Sequence, residues 1–483
     1  MSAGVGRQSF ADMAAKDCRP TTLLLSLLLA SCASLPPQIP EAAQCRGDYL
    51  GIDQRIDAAD LRNAGAHRID GFPYLRSDRF LASFVGEAVD GPKFDAWVER
   101  LRLLDLDARE SELRNLGWEN PAEELAHLDR CGKEWAARDL ADPQRRAQLR
   151  EGVAVPDDYS MWRRTLGLYP LAVPFLNMGI RGFNEDVAAD YAARLERGNL
   201  VLWQPPEAGA MARGSPQPDA LGIPVVSEAQ WRVLARAHAP YWLVETEGDY
   251  DRLGTPALKG GEVSFDPARP VTHFQPAYTR FGDKVLLQLV YVAWFSERPK
   301  SAGFSYGGAL DGVVWRVTLD EDGAPLLYDT IHACGCYHYY YLAKPLKRKP
   351  QGGFWQEPVL FPQDAPAPPF AIRLQSATHY VRRLVPFTAF APSSPRSGRI
   401  EGPRYAVADY DELLSLPDGE GGTRSLFCES GLACGTERFE RFWLFPAGIA
   451  SAGAMRQWGR HPTSFVGRSH FDDPLLLDRL FEP

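Results

Sequence analysis

The chain has 483 residues and a formal charge of −9, too acidic for a general nucleic-acid binder without a segregated basic patch. Hydrophobic residues make up 45% and charged residues 24%, a balance that excludes wholesale disorder and, at this length, predicts two or three domains. Gly (42) and Pro (39) supply about one residue in six, above average usage, which favours turns and loops over a helical bundle.

The first segment with a pattern is TTLLLSLLLASCA at 21–33. Its apolar run, Leu23–Ala30, is far shorter than the roughly 20 residues of a membrane-crossing helix. It suits the apolar part of an export signal, and Lys16 and Arg19 supply the positive charge before it. Leu29-Ala30-Ser31-Cys32 resembles the lipobox of bacterial lipoproteins: an aliphatic residue, two small ones, then the cysteine that is acylated. The resemblance implies a signal peptide at 1–31 and acyl chains, palmitate among them, on Cys32. It also implies a soluble body held to the membrane by lipid. Ala33, where an inner-membrane lipoprotein carries Asp, implies the outer membrane. Met13 gives a signal of more usual length than Met1. Loss of 1–31, with three basic and two acidic residues, would leave a charge of −10. Pro36, Pro37 and Pro40 mark 32–45 as a tether. No other apolar run approaches 18 residues.

Six cysteines remain after Cys18 and Cys32 are set aside: Cys45, Cys131, Cys334, Cys336, Cys428 and Cys434. An even number in an oxidising periplasm suggests disulfides, with 15 pairings open. Cys45 and Cys131 are the two in the N-terminal third, and their pairing would pin the tether to the first domain. Cys428 and Cys434 flank Gly431, which lets the chain turn back, so they are the candidate local bridge.

Residues 46–240 read as a mainly helical domain. Phe94, Trp97, Val98, Leu101 and Leu104 recur at spacings of three and four, one face of a helix. The stretch 161–183 is apolar but holds Pro170 and Pro174, which predicts a buried irregular connection. Residues 204–226 are rich in Pro and Gly and read as a linker or surface loop. Ser227 with Gln230 three residues on is a capping box that opens a helix ending near Pro240.

From 241 to 483 the pattern is strand-like. YWLVET (241–246), KVLLQLVYVAWF (284–295), GVVWRVTL (312–319) and APLLYDTIH (324–332) are rich in Val, Leu, Tyr and Trp. Val313, Trp315, Val317 and Leu319 alternate with polar Arg316 and Thr318. The turn Asp320-Glu321-Asp322-Gly323 makes 312–332 an antiparallel hairpin. The fold class is therefore α+β, a mainly helical N-terminal half followed by an antiparallel sheet.

The candidate chemistry is HACGCYH at 332–338. His332, Cys334, Cys336 and His338 are spaced by two, so on an extended strand they share a face. Imidazole and thiolate are ligands for zinc or copper. Alternate residues of a flat strand lie about 6.5–7 Å apart, so one ion needs a bend, which Gly335 can supply. Disulfides and a redox-active thiol pair are the other two readings. WFSERP (294–299) and HACGCYH are similar to segments of proteobacterial lipoproteins of unknown activity, a resemblance that carries no mechanism.

Three weaker signals complete the chain. Gly303-Phe304-Ser305-Tyr306-Gly307 matches G-x-S-x-G, but that motif requires a following helix and the next segment reads as a strand. Lys344, Lys347, Arg348 and Lys349 form a solvated basic turn, within the chemistry of acidic headgroups. Arg456, Arg460, His461, Arg468 and His470 read as a surface segment partnered by Asp472 and Asp473. The sequence thus points to a lipid-anchored envelope protein with a binding or structural role. Its membrane contact is through the N-terminal lipid, and nucleic acid is not a partner. The alternative is a metal-binding or redox enzyme centred on His332–His338.

Overall fold

A computed structural model describes residues 41–192, 199–207, 216–303, 305–351, 353–390 and 402–483. The export signal expected over 1–31 and the expected acylation site Cys32 lie outside them. The N-terminal layer comprises α1 (Glu41–Ala58), β1 (His67–Ile69), β2 (Phe72–Ser77), α2 (Arg79–Ala82), α3 (Gly91–Asn115), α4 (Pro121–Asp139) and α5 (Pro143–Gly152). The tether expected over 32–45 therefore yields to helix at Glu41. After α6 (Met161–Leu166) and α7 (Tyr169–Ala192) come β3 (Asn199–Trp203), α8 (Glu228–Ala237) and β4 (Tyr241–Thr246). The strands β5 (Thr255–Lys259), β6 (Glu262–Asp266), β7 (Val271–Phe281), β8 (Lys284–Arg298), β9 (Gly308–Leu319), β10 (Pro325–His332) and β11 (Tyr339–Leu342) follow. Then come β12 (Phe370–Leu374), β13 (Val381–Pro386), β14 (Ala406–Asp409), α9 (Glu440–Trp443) and α10 (Leu476–Leu480).

The fold is α+β, helices first and sheets after. Helix α3 buries Phe94, Trp97, Val98 and Leu101, the stripe set by their spacing. Ser227 and Gln230 close both halves of the capping box on α8. One sheet runs β11-β10-β9-β8-β7-β14, and a second runs β13-β12-β4-β3. Most pairings are antiparallel; β14 with β7 and β12 with β4 are parallel. The pairing of β3 with β4 crosses residue 240, and residues 41–483 form one compact unit rather than separating there.

The six-stranded sheet is covered on both faces, which is why β8 reads as a continuous apolar run. Tyr291, Ala293 and Phe295 face a core shared with Trp242, Trp315 and Phe370, while Val290, Val292 and Trp294 face Met455 and Phe471. Arg316 and Thr318, polar in the expected outward positions, are therefore buried too. Arg316 meets Asp329 of β10, its Nε 2.9 Å from Oδ1. The outer edge of β11 is closed by residues 358–361: the Tyr340 N–H donates to Leu360 O at 3.0 Å.

The stretch 161–183 is not a buried irregular connection. It is helical, with Pro170 in the first turn of α7, where a missing N–H leaves no gap, and Pro174 one turn further in. Much of its apolar surface faces outward. Among the described residues no helix is long and apolar enough to cross a membrane.

Candidate functional site

Strand β10 ends at His332, and the chain reverses over 333–338 before β11 returns alongside it, Asp329 opposite Tyr340. The Gly335 N–H donates to His332 O at 2.7 Å and the His332 N–H donates to Cys336 O at 2.9 Å. Gly335 has φ +96° and lies so close to Pro462 that a Cβ would fall 2.3 Å from its carbonyl oxygen. Tyr337 has φ +65° as well. HACGCYH is thus a turn, not an extended strand with four side chains on one face. This overturns the shared-face geometry expected for His332, Cys334, Cys336 and His338.

The four residues separate into three environments. His338 turns to the buried ion pair, its Nε2 2.8 Å from Asp329 Oδ2, and stacks on Tyr340. His332 Nδ1 accepts from Arg298 Nη2 at 2.7 Å, which puts its proton on Nε2, a buried atom without a hydrogen-bond partner. Burial pulls the His332 pKa down to about 4, so the ring is neutral. Cys334 and Cys336 are buried, and neither is bonded to another cysteine. The neighbouring Cys336 thiol lowers Cys334, while the Cys334 thiol and burial raise Cys336 well above the ordinary thiol value.

The other four cysteines form two disulfides, Cys45–Cys131 joining α1 to α4 and Cys428–Cys434 closing a short loop. Among the described residues, the group whose donor atoms converge as metal ligands would is Asp48, His127 and Cys131. The Cys131 sulfur is committed to its disulfide and offers no thiolate there.

Behind the turn lies a buried charge cluster that the sequence reading missed. Arg298 Nε meets Asp311 Oδ2 at 3.1 Å, and the same oxygen lies 2.8 Å from His379 Nδ1. Burial opposes ionisation of Asp311, yet Arg298, the His379 contact and Arg438 hold it well below the usual carboxylate range. His379 stacks flat on Phe295 with centroids 3.9 Å apart. Its far side faces Asp251, which is fixed by Ser376 Oγ at 2.8 Å and the Ala377 N–H at 2.7 Å. A lone aspartate in the apolar run GALDGVVWRVTL was the signal for this cluster.

In front of the turn is a cavity of about 860 Å³. Its apolar wall is Leu176, Ile180 and Phe183 of α7 with Tyr337, Tyr339 and Tyr380. Phe183, Tyr337 and Tyr380 meet ring to ring at 4.6–5.6 Å. The Cys336 residue lines the same space, as do two acids, Glu357 and Glu440. Burial raises both carboxyls to about 7. Glu357 Oε2 accepts from the Phe465 N–H at 2.6 Å. Glu440 lies against Gly453, φ +88°, where any Cβ would overlap its carboxyl.

Two of the three weaker signals resolve simply. Ser305 stands in a turn leading into the strand β9, so the strand–turn–helix context of a nucleophile elbow is absent. The segment 456–470 is largely internal: Arg456 and His461 are buried, while Arg460 pairs with Asp158 at 2.7 Å. Arg79 and Arg479, not the segment itself, take Asp472 and Asp473. Arg456, His461 and Trp294 surround a void of about 10 Å³, room for one water. Compared with protein-family models, curated proteins and solved structures, the chain matches none.

Proposed function

We propose that the protein is a cell-envelope lipoprotein, anchored on the outer membrane through acyl chains on Cys32, whose body binds an amphiphilic small molecule. The observation that carries the binding role is the cavity beside β11. Its volume is in the range of small-molecule sites, and its lining pairs an aromatic and aliphatic wall with a few polar groups. Glu357 and Glu440, protonated up to about pH 7, can donate hydrogen bonds to a polar head while the α7 wall takes the apolar body. Native mass spectrometry and solvent extraction of protein purified from envelopes test this directly. A bound amphiphile, or one-to-one binding of a fluorescent apolar probe, is expected. Ile180→Arg, which places a charge on the wall, should weaken probe binding at least tenfold with the fold retained. Equal binding in that variant would defeat the reading. Acyl labelling that persists in Cys32→Ser would defeat the anchor.

A second reading is favoured by the unbonded thiols. Cys334 and Cys336 can pass two electrons and two protons to a small disulfide, forming their own disulfide as the substrate becomes two thiols. Loss of 2 Da across the 333–338 peptide after exposure to cystine would support it. Unchanged alkylation of both thiols would oppose it. Elemental analysis of the same preparation reads the zinc or copper alternative.

A further inference from the structure

We infer that the rim of the cavity is a membrane-docking collar, a surface that enters the headgroup region of an anionic lipid leaflet. This goes beyond the binding reading and does not require an occupied cavity. Met161, Trp162, Leu166, Leu168, Leu171, Phe175 and Met178 of the α6–α7 segment are 57–71% exposed. Phe439, Phe442 and Trp443 at α9 and the neighbouring Phe354 and Trp355 are exposed as well. These residues are one surface, not scattered side chains. Trp162 meets Phe445, just beyond α9, at 5.9 Å, and Tyr169 meets Trp355 at 6.3 Å. Asn177 Nδ2 donates to Phe354 O at 2.9 Å. A folded protein rarely leaves so large a contiguous apolar patch uncovered without an interaction to cover it.

The patch is also held rigidly. Arg164 is buried between Tyr159 and Tyr169, and its Nε donates to Ala447 O at 2.9 Å. That fixes α6 against the body with Trp162 and Leu166 turned outward. Gly167 approaches Pro446 so closely that a Cβ would lie 2.6 Å from its Cα.

Charge selects the occupant. The chain carries −9 overall, yet 161–183 contains no acidic residue and three arginines. Arg163 and Arg181 remain accessible on the collar, and Arg441 flanks it on α9. The Arg163 guanidinium sits 4.8 Å over the Trp162 ring. Tryptophan beside arginine on an apolar face is the chemistry of the membrane interface, where the ring takes the acyl boundary and the cation takes phosphate. Phe175 and Trp355 belong both to the collar and to the cavity lining, so docking would turn the mouth toward lipid.

The test uses the full chain carrying Cys32→Ser, so that acylation plays no part. It is floated with vesicles of phosphatidylglycerol and phosphatidylethanolamine, and separately with phosphatidylcholine alone. The same chain carrying Trp162→Ser, Leu171→Ser, Phe442→Ser and Trp443→Ser is the comparison; none of these four lines the cavity. Binding to the anionic vesicles is expected, with at least tenfold loss in the four-site variant and an unchanged melting temperature. Probe binding in the cavity should persist in that variant, which separates failure of the collar from failure of the cavity reading. Binding within twofold of the parent in the variant, or no binding by the parent, overturns the proposal. So does a stable dimer in lipid-free solution that the four substitutions dissolve, because the collar would then be covered by a second copy.

Discussion

The helical layer and the cavity layer both bury arginines and carboxylates, but they treat them differently. In the helical layer Arg76 joins Asp105 at 3.0 Å and Glu112 at 2.7 Å, while Arg109 joins Asp105 at 2.8 Å. All four side chains are fully buried, and each has an opposite charge. A disulfide, Cys45–Cys131, staples the same layer. On the cavity side Arg298 and Asp311 are paired behind the wall, but in the lining itself the Cys336 thiol stays outside any disulfide and burial raises the Glu357 and Glu440 carboxyls to about 7. A closed network fixes a fold; groups left open next to a void are available to a ligand.

The comparison can be broken in four places. The largest effect belongs to Cys45→Ala with Cys131→Ala. Their bridge closes a loop of 86 residues, so its loss should lower stability by about 4 kcal/mol in denaturant titrations. Cavity binding at low temperature should survive. Arg76→Met comes next. It leaves Glu112 buried without its principal cation, at about 3 kcal/mol, and a change under about 1 kcal/mol would show that the network is not closed.

The third separates the layers by the sign of their pH response. Glu440 has a folded pKa near 7 against an ordinary 4.5, so its protonated form is favoured by folding. Its contribution is complete below the ordinary value and is lost as pH rises through about 7. Glu112 runs the other way: despite burial, Arg76 and Arg109 hold it below the ordinary range, so its contribution is lost as pH falls. Glu440→Gln should therefore flatten the decline in melting temperature between about pH 5 and pH 8 and leave the acid limb alone. An unaltered alkaline slope would remove Glu440 from the comparison. The smallest effect is His338→Ala, which takes one hydrogen bond from Asp329 while Arg316 remains. A loss of about 1 kcal/mol is expected, with no change in metal content by elemental analysis.

What could be read from the sequence was local. The stripe of α3, the capping box of α8 and the β9–β10 hairpin each depend on residues a few positions apart. The parallel pairing of β12 with β4 joins segments more than a hundred residues apart and has no local signature. The site divides the same way. HACGCYH stood out as a run of His and Cys, but its shape turned on the left-handed backbone at Gly335 and Tyr337 and on the approach of Pro462. Arg298, Asp311, His379, Glu357 and Glu440 reach the site from five separate segments. The prolines at 170 and 174 suggested a break in the chain, yet both fit within or near the first turns of a helix.

The closed edge of β11 has a further consequence. An uncovered edge strand is a template on which another chain can add its own strand. Here residues 358–361 already occupy that position along Tyr339 and Tyr340. The Tyr340 N–H and the Leu342 carbonyl on this edge are already taken by Leu360 O and the Ala365 N–H, so a neighbour adding a strand here would first have to displace that segment.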